Sequence, residues 1–231
     1  MALSCKIVVS VAVLLGRVAA FAAGPDEAAV AGLVRTGEVE LKAAAIGVAG
    51  AEDRALAAFD AALAASPGHA RARAGRGLAL IARALNAPLA EKLPLARRGC
   101  AELDAAVAAA PHDPALRLMR ATSSVQMPLL LGRRDLAERD FAVLLAAARD
   151  DRVTMAPQTR RSVFFQAAAF ALKERRAGAV ELLEEAVSIQ AEEPTDEQVQ
   201  SMLALARRQV TSLSDSHADS HPPEEAPASR P

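Results

Sequence analysis

Four arginines are the residues of this chain best placed to do chemistry: Arg73 and Arg76, then Arg117 and Arg120. Within each pair the spacing is three, which on a helix puts both guanidiniums on one face. Guanidinium forks hold carboxylate and phosphate oxygens in a bidentate manner, so four of them converging would make a site for a small anionic ligand. Each pair also follows an aspartate at a fixed distance, Asp60 before the first and Asp104 before the second. The competing reading is therefore structural: each aspartate pairs with an arginine on the helix that follows it, and the ion pairs set the register of neighbouring helices. The recurring aspartates would offset much of the arginine charge, which favours the structural reading.

Other reactive side chains offer less. Cys5 lies in the apolar N-terminal stretch, which leaves Cys100 as a lone thiol beside Gly99 in alanine-rich surroundings. Its expected role is that of a small buried hydrophobe. His69 and His112 follow prolines and read as solvated turn residues. His217 and His221 have the spacing of helical zinc ligands but stand in a polar tail without further ligands. Glu184-Glu185 and Glu192-Glu193 read as a solvated face. No glycine-rich phosphate loop, serine nucleophile motif or metal-ligand cluster is present in the sequence, so neither a cofactor nor a metal is expected, and the chain is not expected to be an enzyme.

The elements that position the arginines come in duplicate. Ala57–Pro67 followed by Arg73 and Arg76 matches Ala101–Pro111 followed by Arg117 and Arg120 at an offset of 44 residues. Asp60, Pro67 and both arginines recur, and Phe59 and Leu63 find apolar counterparts in Leu103 and Val107. A unit copied in this way marks a protein whose helices bury their apolar faces by stacking on neighbours.

The pattern Ala55, Phe59, Ala62 and Pro67 resembles the second helix and closing proline of the tetratricopeptide repeat, and weaker echoes stand at Ala137, Phe141, Leu144 and at Ala179, Leu183, Ala186. The resemblance runs from about Glu38 to Gln190. It implies paired helices and binding of protein partners. Arg73 and Arg76, with their twins, stand where that family places large apolar residues. The run from Leu103 through Pro111, Arg117 and Arg120 to Pro128, Leu129 and Gly132 is also similar to a group of exported bacterial repeat proteins without an assigned function.

Composition narrows the rest. Lys6, the apolar run Ile7–Leu15 and the small residues ending in Ala20-Phe21-Ala22 read as an export signal over residues 1–22, which points to the bacterial periplasm. Arg17 breaks the run short of a membrane span. With Lys6 and Arg17 gone, 25 basic residues face 28 acidic ones, a net charge of −3, without Trp or Tyr and with five Phe. A basic face and stacking aromatics are thus missing, and nucleic acid is not an expected partner.

The expected elements are a helix over Asp26–Val48 kinked near Gly37, then helices over Glu52–Ala65 and Ala70–Leu85. An extended connector from Pro88 to Pro94 precedes a helix from Leu95 to Ala109. Helices over Pro114–Gln126, Arg134–Arg149, Pro157–Lys173 and Ala177–Gln190 follow. Thr195-Asp196-Glu197-Gln198 forms a capping box that opens a last helix ending near Leu213. The expected fold is all-α: a right-handed superhelical stack of about four hairpins with a C-terminal capping helix over residues 23–213, and a disordered tail over 214–231. Met127, Leu129, Leu130 and Leu131 form an apolar connector that either plugs a gap between helices or stands out as a docking patch. The expected function is an exported, non-catalytic scaffold that binds protein partners through its concave face and this connector edge.

Overall fold

The computed structural model describes residues 25–218, and every regular element among them is helical. In chain order these are α1 (Pro25–Ala45), α2 (Ala51–Ala65), α3 (Ala70–Asn86), α4 (Leu89–Ala109), α5 (Pro114–Gln126), α6 (Arg134–Arg149), α7 (Pro157–Lys173), α8 (Ala179–Val187) and α9 (Asp196–Ala218), with one turn of 3-10 helix at Leu129–Leu131. The export signal expected at residues 1–22 lies outside the described residues, as does the tail beyond Ala218.

Local chemistry sets most of the ends. Asp113 caps α5, its Oδ1 accepting from the N–H groups of Ala115 and Leu116 at 2.8 and 3.2 Å, with Pro114 at the first helical position. Before α9, the Thr195 N–H donates to Gln198 Oε1 at 2.9 Å and the Gln198 N–H to Thr195 Oγ1 at 3.2 Å, a reciprocal capping box. Pro67, Pro88, Pro111 and Pro128 follow the C-termini of α2, α3, α4 and α5, where a residue lacking an N–H cannot extend the helix.

Each helix packs against the next, and the odd-numbered helices also touch one another in series: α1 with α3, α3 with α5, α5 with α7 and α7 with α9. No even-numbered pair among the described residues packs to a comparable extent. The odd helices therefore form the inner row of a curved stack and the even helices its outer row. Small residues permit the close approach. Phe59 of α2 is fully buried between two glycines, Gly37 of α1 and Gly75 of α3, and a Cβ on Gly37 would stand 2.6 Å from the ring. Two apolar cores result. Val30 to Met119 form one, Leu118 to Ala206 the other, and α5 contributes to both.

Several boundaries differ from those expected. Helix α1 runs unbroken through Gly37, which is small to seat Phe59 rather than to bend the helix. The stretch after Pro88 is not an extended connector: α4 begins at Leu89 and carries Pro94 within it. The N–H groups of Glu91 and Lys92 both turn back to the Pro88 carbonyl, and Lys92 Nζ reaches the Leu85 carbonyl at 2.9 Å, so the helix is under way before Pro94. The repeat exceeds the roughly 34 residues of the standard motif because α3 and α4 are long, at 17 and 21 residues. Helix α8 is shorter than expected, and α9 continues past Leu213 to Ala218.

Candidate functional site

The duplicated sequence builds a duplicated set of bonds. Arg73 donates to the Pro67 carbonyl at 3.0 Å, and Arg117 to the Pro111 carbonyl at 2.9 Å. Arg76 bridges the flanking outer helices, reaching Asp60 of α2 at 3.3 Å and Glu102 of α4. Arg120 does the same one period later, reaching Asp104 of α4 at 3.6 Å and Asp140 of α6 at 2.7 Å. Arg76 and Arg120 thus each clasp the outer helix before and the outer helix after their own.

The second clasp is the more elaborate. Asp140 accepts from Arg120 Nε and Nη2 at 2.8 and 2.7 Å and from Arg117 Nη1 at 2.9 Å. Asp104 meets Arg133, whose two Nη atoms donate to its two carboxylate oxygens at 2.7 and 2.8 Å. The hydrogen bond that Arg133 donates to Asp104 is the main reason its guanidinium sits above its ordinary pKa. At Arg76, burial alone would lower the pKa, but Glu102 and Asp60 together raise it.

Of the four arginines expected as an anion site, Arg76, Arg117 and Arg120 pair with carboxylates of the fold, while Arg73 bonds only the Pro67 carbonyl. Asp140, Glu102 and Arg133 complete the clasps and were not singled out in the sequence. Asp140 falls in the third, weaker copy of the repeat but precedes Phe141, whereas Asp60 follows Phe59 and Asp104 follows Leu103, so the repeat pattern itself does not point to it.

Helix α7 offers no open binding face along its middle. Residues 161–168 are buried without interruption, more than two helical turns, so no side of the helix is open there. Phe170 stacks on Phe141 at 5.5 Å between centroids, and Arg176 and Arg149 lie over the rings of Phe170 and Phe164. Every Phe among the described residues is buried. Arg161 is buried as well, donating to the Ala191 carbonyl at 2.9 Å and to Asp196, while Gln158 brackets the backbone of Glu193. These bonds tie α7 to the linker that delivers α9, in which the Glu193–Pro194 peptide is cis.

The apolar connector does not plug the stack. Pro128 ends α5, one 3-10 turn follows, and Gly132 closes it in the left-handed region at φ 61°. This turn leaves Leu129 and Leu130 outside, at 72% and 68% exposure, with Met127 and Leu131 half-buried. Leu130 and Leu131 overhang α4 to form an open cleft of about 300 Å³ with Arg97, Cys100, Asp104 and Arg133. Burial pushes the Cys100 thiol up, with Arg133 opposing and Asp104 reinforcing the shift. A nucleophilic thiol needs the reverse.

His69 is not a free turn residue: its Nδ1 caps α3 by accepting from the Ala72 N–H at 3.1 Å, at the place Asp113 holds one period later. Glu184 and Glu185 lie on a solvated face, where both form surface ion pairs. Glu184 pairs with Arg207 of α9 and Glu185 with Arg149 of α6. The side chains of His217 and His221 lie outside those described. No helix among the described residues is long and apolar enough to cross a membrane.

No protein-family model matches the chain, and no curated protein does. Among solved structures it is similar to a thermophilic tetratricopeptide-repeat protein of Thermus thermophilus, at 20% sequence identity with a TM-score of 0.56, covering 88% of this chain and 99% of that one. At that identity the likeness speaks for the fold: the chain is an all-α, tetratricopeptide-like solenoid.

Proposed function

We propose that this protein is an exported, non-catalytic scaffold that binds other proteins in the cell envelope. The observation that carries the reading is where its polar chemistry is directed. The arginine–carboxylate clasps join consecutive outer helices across α3 and α5, and burial pushes up the pKa of the thiol beside them. Such chemistry stiffens a repeat stack and leaves its outer surfaces for recognition, the general use of solenoids. With the middle of α7 enclosed, the outer helices and the edges are the surfaces favoured for recognition. Export rests on the residues of the 1–22 segment.

The test is cross-linking in intact cells followed by mass spectrometry of the mature chain. The expected result is an N-terminus at Ala23 and reproducible cross-links from α2, α4 or α6 to one or a few envelope proteins. A chain that keeps Met1 and stays with the cytosolic fraction would overturn export. Cross-links confined to the chain itself would overturn the scaffold.

A further inference from the structure

Exposed large aliphatic residues are concentrated in one place. Ten are found among the described residues, and six of them (Ile46, Val48, Leu85, Leu89, Leu129 and Leu130) stand at the turns joining α1 to α2, α3 to α4 and α5 to α6. Because consecutive helices alternate in direction, these three turns share one edge of the stack. The opposite edge has only Val187, at the end of α8. Leu89 follows Pro88 as Leu129 follows Pro128, both prolines at φ −54°, so the exposure recurs at two turns and does not belong to a single irregular loop.

The charge around this edge has a sign. Lys42, Lys92, Arg97, Arg98, Lys173 and Arg175 lie at or near its turns without a carboxylate partner among the described residues, against Glu52, Glu91, Asp135 and Glu181, which have no cationic one, so the unpaired charge is positive by two. Arg97 shares the walls of the cleft with Leu130. The turn α7–α8 continues the edge with Arg175 and no large aliphatic residue.

We propose that this edge docks on an anionic lipid surface, with the aliphatic turn tips entering the boundary between headgroups and acyl chains and the cations facing lipid phosphates. Aliphatic side chains beside lysine and arginine are what interfacial binding requires: apolar area supplies insertion, and positive charge draws the protein to an anionic leaflet. The tips protrude singly from three separate turns. A deformable planar surface receives such tips at once, whereas a folded protein partner would need three pockets in matching register. The inference goes beyond the scaffold reading, since partner proteins on the outer helices are compatible with either outcome here.

The sequence contains neither Trp nor Tyr, so one introduced tryptophan reports on its own site even if the N-terminal segment also meets lipid. Full-length Leu130→Trp, Leu89→Trp and Val143→Trp, the last exposed on α6 away from the edge, are mixed with vesicles of phosphatidylglycerol and phosphatidylcholine in equal parts. The expected result for the two edge variants is a blue-shifted emission and at least about threefold more quenching by brominated lipid than for Val143→Trp. The effect should weaken as salt is raised and fall several-fold on phosphatidylcholine alone. Vesicle binding with no change in edge emission would overturn the proposal, as would equal shifts in all three variants. An edge shift that rises with protein concentration in the absence of lipid would assign the edge to a second copy of the chain and overturn it as well. Having two edge variants keeps the test decisive if one fails to fold by circular dichroism.

Discussion

Gly77 of α3 and Gly99 of α4 meet backbone to backbone: a Cβ on Gly77 would lie 2.7 Å from the Gly99 carbonyl oxygen, and one on Gly99 would lie 2.6 Å from that of Gly77. Neither carbonyl can swing away without breaking its own helix. Alanine normally improves a helix by about 1 kcal/mol over glycine, but the clash outweighs this. Gly77→Ala and Gly99→Ala are each expected to destabilise the fold by about 1–3 kcal/mol in urea unfolding. Gly32→Ala on α1, where a Cβ meets nothing within 4 Å, should instead stabilise by up to about 1 kcal/mol. Equal effects at the three positions would show that the close approach is not there.

The two copies of the clasp should differ in strength because their aspartates differ in burial. Side-chain exposure is 1% for Asp140, 41% for Asp104 and 59% for Asp60. Removing Asp140 strands two guanidiniums, and Asp140→Ala is expected to cost about 3–5 kcal/mol. Asp60→Ala should cost at most about 1 kcal/mol, the range of a solvated pair. Asp104→Ala should fall between them, since its bidentate partner Arg133 is largely buried. Chemical denaturation of the three variants gives the ranking directly.

His69 holds the capping place that Asp113 holds one period later, with one acceptor contact in place of two. An aspartate there would accept from the same N–H groups and add a negative charge at a helix N-terminus. His69→Asp is expected to raise stability by about 0.5–1 kcal/mol, read as a higher urea midpoint at unchanged slope. A lower midpoint would rule out the cap.

Arg161 fixes the last helix rather than the whole stack. Arg161→Met keeps an unbranched apolar stem in place of the arginine's own and loses the bonds to the Ala191 carbonyl and Asp196. Hydrogen exchange should show α9 losing protection first, by about 1–3 kcal/mol of local opening energy. Helices α1 to α4, which belong to the other core, should keep theirs.

The raised pKa of Cys100 predicts inertness. Alkylation of this residue by iodoacetamide at neutral pH, followed at peptide level to separate it from Cys5, should run on the order of tenfold or more slower in the native protein than in urea. The sign of the linkage follows from the same shift. A thiol raised on folding contributes stability that is complete below the unfolded pKa of about 8.5 and is lost as pH climbs through the folded value. The urea midpoint should therefore decline on the alkaline side, and Cys100→Ser should flatten that decline.

The parts of the fold that were legible in the sequence are those whose causes are local. Asp113 and Pro114 announce the start of α5, Thr195 and Gln198 that of α9, and the doubling of Asp60 and Asp104 with their arginines announces the stacking of helices. What stayed hidden depends on distant contacts. Gly37 looks like a helix breaker until Phe59 is set against it, and Pro94 looks like a boundary until Lys92 is seen bonded back to α3. The exposure of Leu129 and Leu130 follows from the left-handed Gly132, which composition does not disclose. The enclosure of α7 had a readable sign, since Val163, Phe164, Phe165 and Phe170 fall on several sides of one helix.

Helix α5 lends side chains to both cores, Leu116 and Met119 to the first and Leu118 and Ala121 to the second. It is therefore a seam as much as a spacer. Stretched from its two ends, as a protein tethered at a surface would be, the molecule should give way in two steps rather than one, with the clasp on Asp140 deciding how well the seam between them holds.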